Sequence, residues 1–306
     1  MSDTKQGGAS RALVLGGGGP VGVAWEVGLA HGLAAGGIDL AAADFVVGTS
    51  AGSIAGALLL GDDDLGELVD GVTAMFAQGA GSTGVDQVPA EALGTFMEMT
   101  FEGASLHGDE EGWNQHQRRA GQFSLSSETI PEQAFVDTIG SVLGGRPWPE
   151  QFHCTAVDTA TGEFRVWDRS AGVPLERAIA SSCSVPGIYP PITIEGARYM
   201  DGGVRSPLNA DLATGHDVAI VVSVTVLELP PGIDDPRIGA VLDLQRAEIE
   251  ALRASGTDVE VIVPDLEFLT ISGFGMNLMD FNVVGAAAEA GARLGKLEAE
   301  RIAGHW

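Results

Sequence analysis

The sequence predicts a three-layer α/β fold: a mainly parallel central sheet, helices on both faces and a helical insert. Three observations carry this. Arg11–Leu15 (RALVL) is an apolar run of strand length, followed at once by Gly16–Gly19 and a small, apolar stretch of helical length. Asp44–Val47 repeats the arrangement and ends in Gly48-Thr49-Ser50-Ala51-Gly52 before a second helical stretch. Towards the C-terminus, strand-like Val218–Val224, helical Pro236–Ala254 and strand-like Val259–Val263 follow in turn. Strands joined through helices run parallel, and the crossovers lay helices on the sheet faces.

Taken in order, residues 1–10 (MSDTKQGGAS) hold no apolar run and read as a disordered tail. Arg11–Leu15 is the first strand. Val21–Ala35 is a buried helix with a stop at Gly36-Gly37. Asp44–Val47 is the second strand and Ala51–Leu60 the second helix. Residues 62–145 change character. Helical stretches at Leu65–Phe76, Val88–Phe101 and Pro131–Leu143 alternate with linkers rich in Gly, Ser, Asp and Glu. That pattern predicts a helical insert or lid, with residues 102–128 as its most loop-like part. Strands return at Phe152–Val157, Glu163–Trp167, Arg198–Met200 and Val218–Val224, and a final helix runs from about Phe281 to Ala303. With no repeat and no linker between autonomous units, residues 11–306 read as one domain.

Composition narrows the function. Hydrophobic residues make up 45% of the chain, enough for a sizeable core. Sixteen Lys and Arg face 42 Asp and Glu, a net charge of -26. Such a chain repels phosphates, which argues against general nucleic-acid binding and against adsorption to anionic lipid. The two cysteines, Cys154 and Cys183, make neither a disulfide framework nor a zinc pattern, so a reducing, cytoplasmic compartment is the simplest expectation. The N-terminus lacks a signal-peptide core, and the longest apolar runs, around Ile179 and Ile220, are broken by Pro, Gly or charge. Membrane contact is expected to be transient and superficial at most. The sequence does not report an oligomeric state.

Two segments carry chemistry. FVVGTSAGS, Phe45–Ser53, has the strand–turn–helix pattern of a nucleophile elbow, which exposes Ser50 and sets Gly48 and Gly52 where backbones pass closely. A serine hydroxyl needs a base and oxyanion donors to act as a nucleophile. The run Gly16-Gly17-Gly18-Gly19-Pro20-Val21-Gly22 has two readings. Gly17, Gly19 and Gly22 fit G-x-G-x-x-G, a dinucleotide turn, with Asp39 at about the required distance as the ribose ligand. But HGLAAGGI, before Asp39, does not read as a strand. The preferred reading is a nest of backbone N–H groups donating to an oxyanion beside Ser50.

The base is the open question. Of six histidines, His31 falls mid-helix, His107 and His116 in the acidic loop region, His153 at a strand start and His305 at the tail. Only His216, in ATGHDVAI, sits in a loop before a strand. The other candidate is Asp201 in RYMDGGVRSP, following a short strand and held by Gly202-Gly203. A carboxylate within hydrogen-bond reach can take the hydroxyl proton without a histidine.

Four blocks in order, LVLGGGGPVG, FVVGTSAGS, IASSCSVPGIYPPI and YMDGGVRSPLNAD, together resemble the patatin-like phospholipases, a family of lipid acyl hydrolases. They span Leu13 to Asp211. The resemblance implies a patatin-like fold, a Ser50–Asp201 dyad, and an oxyanion hole at Gly17, Gly18 and Gly19, joined by the Ala51 N–H. It implies hydrolysis of a fatty acyl ester through an acyl-enzyme, without metal or organic cofactor. An acyltransferase would use the same serine with another acceptor, and a non-catalytic lipid-binding protein would keep the scaffold alone. A Ser-Asp-His triad would require His216. The chain departs from the family pattern at Val21, where an arginine is common, which bears on phospholipid specificity. Arg205 is either its substitute or part of a surface ion pair.

The remaining features admit two readings each. Ala180–Pro191, with Cys183 and Pro186, is a pocket wall or a buried helix end and turn. Met75, Phe76, Phe96, Met97, Met99 and Phe101 are an apolar lid or plain core, and SGFGMNLMDF (272–281) is equally divided. Asp62–Asp64 and Asp109–Glu111 lack EF-hand spacing and read as solvated loops.

Overall fold

The computed structural model describes residues 8–79, 90–229 and 235–306. Its strands are β1 (Arg11–Leu15), β2 (Phe45–Gly48), β3 (Phe152–Asp158), β4 (Phe164–Trp167), β5 (Ile192–Ile194), β6 (Ala197–Asp201), β7 (Val218–Val222) and β8 (Asp258–Ile262). They form one sheet in the order β5-β6-β3-β2-β1-β7-β8, with β4 paired to β3 beside this path. The run β3-β2-β1-β7-β8 is parallel, and the pairings of β4, β5 and β6 are antiparallel. The helices are α1 (Gly19–Ala35), α2 (Ala51–Leu59), α3 (Leu65–Gly79), α4 (Ala90–Ser105), α5 (Glu110–Ser126), α6 (Glu132–Leu143), α7 (Leu175–Ser182), α8 (Pro236–Ala254), α9 (Leu266–Ile271) and α10 (Val284–Ile302).

The three layers follow from the two-residue period of the strands. In β1, Leu13 and Leu15 enter one core with residues of α1, α2, α6, α7 and α10. Ala12 and Val14 face the opposite core, shared with Ile249 and Leu252 of α8 and with Leu208, Ala210 and Ala213. The fold is the α/β sandwich expected from the sequence. Helix α1 is apolar around most of its circumference because α10, α2 and α3 pack around it and it shares the core beneath Leu13 and Leu15. The two helices approach through glycines. A Cβ on Gly28 would sit 2.1 Å from the Ala288 carbonyl oxygen, and one on Gly291 would sit 2.2 Å from that of Trp25.

One expectation fails at 102–128, where the loop-like reading meets a 17-residue helix, α5. Asp109 caps it by accepting the Gly112 N–H at 3.1 Å, and Glu110 and Glu111 sit in the first turn, where the helix dipole favours carboxylates. Its buried face is His116, Gln117, Ala120, Gly121 and Ser124, small and polar, so no apolar periodicity betrays it. The short elements β5 and α9 also escaped the sequence reading. Residues 1–7 of the expected tail and Val88 of the expected helix lie outside the described residues. Ser10, the last residue of that tail, is pinned instead: its N–H and hydroxyl donate to Asp217 Oδ2 at 2.7 and 2.9 Å. Among the described residues, no helix is long and apolar enough to cross a membrane.

Candidate active site

Strand β3 brings the two candidate residues together. Its first residues pair with β2, Gly48 opposite Cys154, and its last with β6, Asp201 opposite Ala156. Strand β4 spans Cys154 to Val157 on the other edge, so β2 and β6 share one edge of β3 and run towards each other. The C-terminal end of β2 therefore meets the C-terminal end of β6. One end leads into Ser50, and the other is Asp201.

The turn after β2 is a strained elbow. Ser50 has φ 51° and ψ -116°, a region that residues with a Cβ rarely occupy. Gly48 and Gly52 make the turn possible, since a Cβ on Gly48 would lie 2.2 Å from the Gly52 oxygen and one on Gly52 would lie 2.1 Å from that of Leu15. Hydrogen bonds hold Ser50 there. Its N–H donates to Ser182 Oγ at 3.0 Å, and its carbonyl accepts from Ser53 Oγ at 2.6 Å and Cys183 Sγ at 3.3 Å.

Asp201 is buried, with 2% of its surface exposed. Its Oδ1 accepts the Gly203 N–H at 2.7 Å, while Oδ2 is buried without a hydrogen-bond partner among the described residues. Burial raises the carboxyl to about 7, against the opposing pull of the Gly203 N–H and the Ser50 hydroxyl. No hydrogen bond joins that hydroxyl to Oδ2 among the described residues. A carboxylate titrating near neutrality with a free oxygen beside a serine is suited to accept a proton.

The glycine loop lies against the elbow, and a Cβ on Gly17 would be 3.5 Å from that of Ser50. The four glycines are not equivalent donors. Gly16 N–H donates to Val222 O at 3.0 Å and Gly17 N–H to Pro207 O at 2.9 Å. This corrects the expectation for Gly17, whose N–H is already committed. The N–H groups of Gly18, Gly19 and Ala51 have no protein acceptor among the described residues. Gly18 caps α1, and Ala51 opens α2, so helix dipoles add to the positive field.

A cavity of about 460 Å³ opens onto Ser50. Val23, Ile54, Met75, Phe76, Ile139 and Met279 are among its mostly apolar lining. Cys183, Val185 and Tyr189 supply the wall expected from Ala180–Pro191. Pro186 faces elsewhere, towards Phe96 and Met99, which with Phe164 pack on a separate cluster around Val157 and Met200. The expected lid therefore divides: Met75 and Phe76 reach the cavity, and Phe96 and Met99 are core. Burial pushes the Cys183 thiol up, so it stays protonated and donates.

Other candidates fall away from this point. His216 Nδ1 lies 2.9 Å from Ala213 O and its ring packs on Phe45, at the opposite end of β2 from Ser50. No histidine lines the cavity. Asp39 caps a short turn through the Ala41 N–H, and the 17 residues of α1, roughly 25 Å of helix, separate it from the glycines. Val21 is fully buried. Arg205 does not replace a cation there: it binds Asp211 at 2.7 and 2.9 Å and stacks over Phe164. Asp258, Glu260 and His305 come within metal-ligand spacing at one edge of the molecule, but His305 and Arg301 already pair with these carboxylates. Asp64 and Asp109 cap helices, and Asp63 pairs with Arg146.

Sequence reasoning missed Asn209. It is fully buried at φ 53°, where asparagine is better tolerated than most residues. Its Nδ2 lies 3.0 Å from Thr49 Oγ1, 3.3 Å from Gly202 O and 2.8 Å from Ser206 O, and its Oδ1 accepts from Arg205 at 2.7 Å. One amide thus ties the elbow to the turn that carries Asp201. Its only sequence signal is an asparagine eight residues after the aspartate, which reads as an ordinary turn.

Among curated proteins, no sequence matches this chain. Among solved structures, it is similar to VipD from Legionella pneumophila, at 14% identity and a TM-score of 0.39, covering 92% of this chain and 69% of that one. The sequence model of the family described as patatin-like phospholipase matches residues 13–214, which include the glycine loop, the elbow and Asp201. By this match over about two thirds of its length, the chain belongs to the patatin-like phospholipase family.

Proposed function

We propose that this protein hydrolyses fatty acyl esters through a Ser50–Asp201 dyad and an acyl-enzyme. The observation that carries the reading is the unpartnered, buried Oδ2 of Asp201 beside Ser50 at the end of an apolar cavity. Asp201 takes the Ser50 proton as Oγ attacks the acyl carbonyl. The N–H groups of Gly18, Gly19 and Ala51 receive the negative charge on the carbonyl oxygen. Asp201 then returns the proton to the departing alcohol, leaving the acyl group on Ser50. Water, deprotonated by the same carboxylate, releases the fatty acid. Gly17, Gly48, Gly52, Gly202 and Gly203 shape the loops that present these groups. No step calls for a metal or an organic cofactor.

The cavity lining favours an acyl chain, and the absence of an arginine at Val21 favours substrates that need no phosphate contact near the oxyanion loop. The test is release of p-nitrophenol from acyl esters of graded chain length by wild type, Ser50→Ala and Asp201→Asn. The proposal expects turnover by wild type alone and a preference for medium or long chains. Equal turnover by Ser50→Ala would overturn it.

A further inference from the structure

Among the described residues, the segment after α9 is built unlike any other turn. Gly273, Phe274 and Gly275 have φ values of 57°, 55° and 89°, three left-handed residues in succession. A bulky side chain is rarely found there, because its Cβ crowds the backbone. The conformation is nonetheless fixed: Phe274 N–H donates to Leu269 O at 2.7 Å and Asn277 N–H to Ser272 O at 2.8 Å. Its outcome is exposure. Phe274 is 62% exposed and Met276 56%; Leu266, which opens α9, and Val263 before it are exposed as well, while Leu125 and Leu297 belong to other helices.

Two residues further on, the same turn becomes part of the candidate site. The Leu278 carbonyl accepts the Val21 N–H at 3.2 Å and packs on Gly19 of the oxyanion loop. Met279 and Phe281 line the cavity that reaches Ser50. Met276 and Met279 are three residues apart, at most about 10 Å even for extended chain. Met276 is therefore within about 10 Å of a residue of the cavity wall, and the backbone between the two is clamped to α1. Residues 266–283 hold no Lys or Arg. The cation that reaches this rim, Arg293, is already paired with Glu267 and Glu289, and on a chain of net charge -26 the rim is poorly suited to an anionic headgroup.

We propose that the turn 272–280 seats the protein on an uncharged or zwitterionic lipid surface, with Phe274 and Met276 entering its apolar layer beside the cavity mouth. This deepens the hydrolase proposal and rests on it for its purpose, since an ester in that layer would then face the cavity without crossing water. The test separates the two ideas. Binding is read by flotation of the Ser50→Ala protein with phosphatidylcholine vesicles and with phosphatidylglycerol vesicles. It is repeated with Phe274→Asn and Met276→Gln added, asparagine being compatible with the left-handed backbone. Catalysis is read separately, on p-nitrophenyl butyrate in solution, with Ser50 intact. The proposal expects flotation with phosphatidylcholine, at least a tenfold loss of bound protein in the double variant, and unchanged turnover of the soluble ester. It is overturned if the double variant floats as well as its parent, if the parent stays off phosphatidylcholine or prefers phosphatidylglycerol, or if sedimentation shows the two residues buried in a dimer that the variant cannot form. Failure to hydrolyse the soluble ester would count against the hydrolase reading alone, since flotation does not depend on it.

Discussion

Asp201→Asn should make the protein more stable in alkaline solution while removing activity. The wild-type carboxyl rises from 3.8 to about 7 on folding because burial penalises its charge. A group raised in this way contributes its full stabilisation below its unfolded pKa and loses it as pH climbs through the folded value. At 1.36 kcal/mol per pH unit, the loss between those limits is about 4 kcal/mol, and about 2–3 kcal/mol of it falls between pH 5 and 8.5. Asparagine keeps the acceptor for Gly203 N–H and carries no charge. Its stability relative to wild type should therefore grow by about 2–3 kcal/mol across that interval. Glu248, raised to about 7 by burial, titrates in both proteins and cancels in the difference. Urea unfolding of both proteins at pH 5 and 8.5 measures it. A stability difference that stays flat or shrinks with pH would refute the argument that Asp201 is held at a cost.

Three further outcomes follow from the same geometry. Asn209→Ala should lower kcat by roughly a hundredfold, the effect of about 1 Å of misplacement, with little change in KM, and steady-state kinetics on a soluble ester separates the two. Ser50→Gly should unfold in urea later than Ser50→Ala by about 1–2 kcal/mol, because glycine alone relieves the elbow, although both are inactive. Val142→Trp narrows the cavity and should shift the preference towards shorter acyl esters, read from relative kcat/KM along a chain-length series.

Local pattern made much of this protein readable. β1, β2 and β7 are apolar runs bounded by glycine or polar turns, and α8 starts on a proline behind an aspartate cap. Where packing runs through small or polar side chains, as in α5, periodicity has nothing to report. The Ser50–Asp201 pairing is of another kind. It depends on β6 entering antiparallel along the edge of β3 that β2 vacates, and no local spacing encodes that. Only the four motif blocks taken together pointed to it. The glycine run predicted a donor nest, but which N–H remains free depends on Pro207, a residue far along the chain whose carbonyl takes the one from Gly17. Asn209 was hidden for the same reason, since the partner that links it to the elbow, Thr49, lies 160 residues away.

The central claim is that Ser50 is a nucleophile activated by Asp201. The measurement that tests it most directly is the rate of labelling by a fluorophosphonate, with the modified peptide identified by mass spectrometry. The account predicts a single adduct on Ser50, formed at a rate that rises with pH through about 7 as Asp201 ionises. It predicts no adduct in Ser50→Ala and a severe slowing in Asp201→Asn. Folded wild type that resists the probe, with or without lipid micelles, or that labels as fast when Asp201 is asparagine, would contradict it.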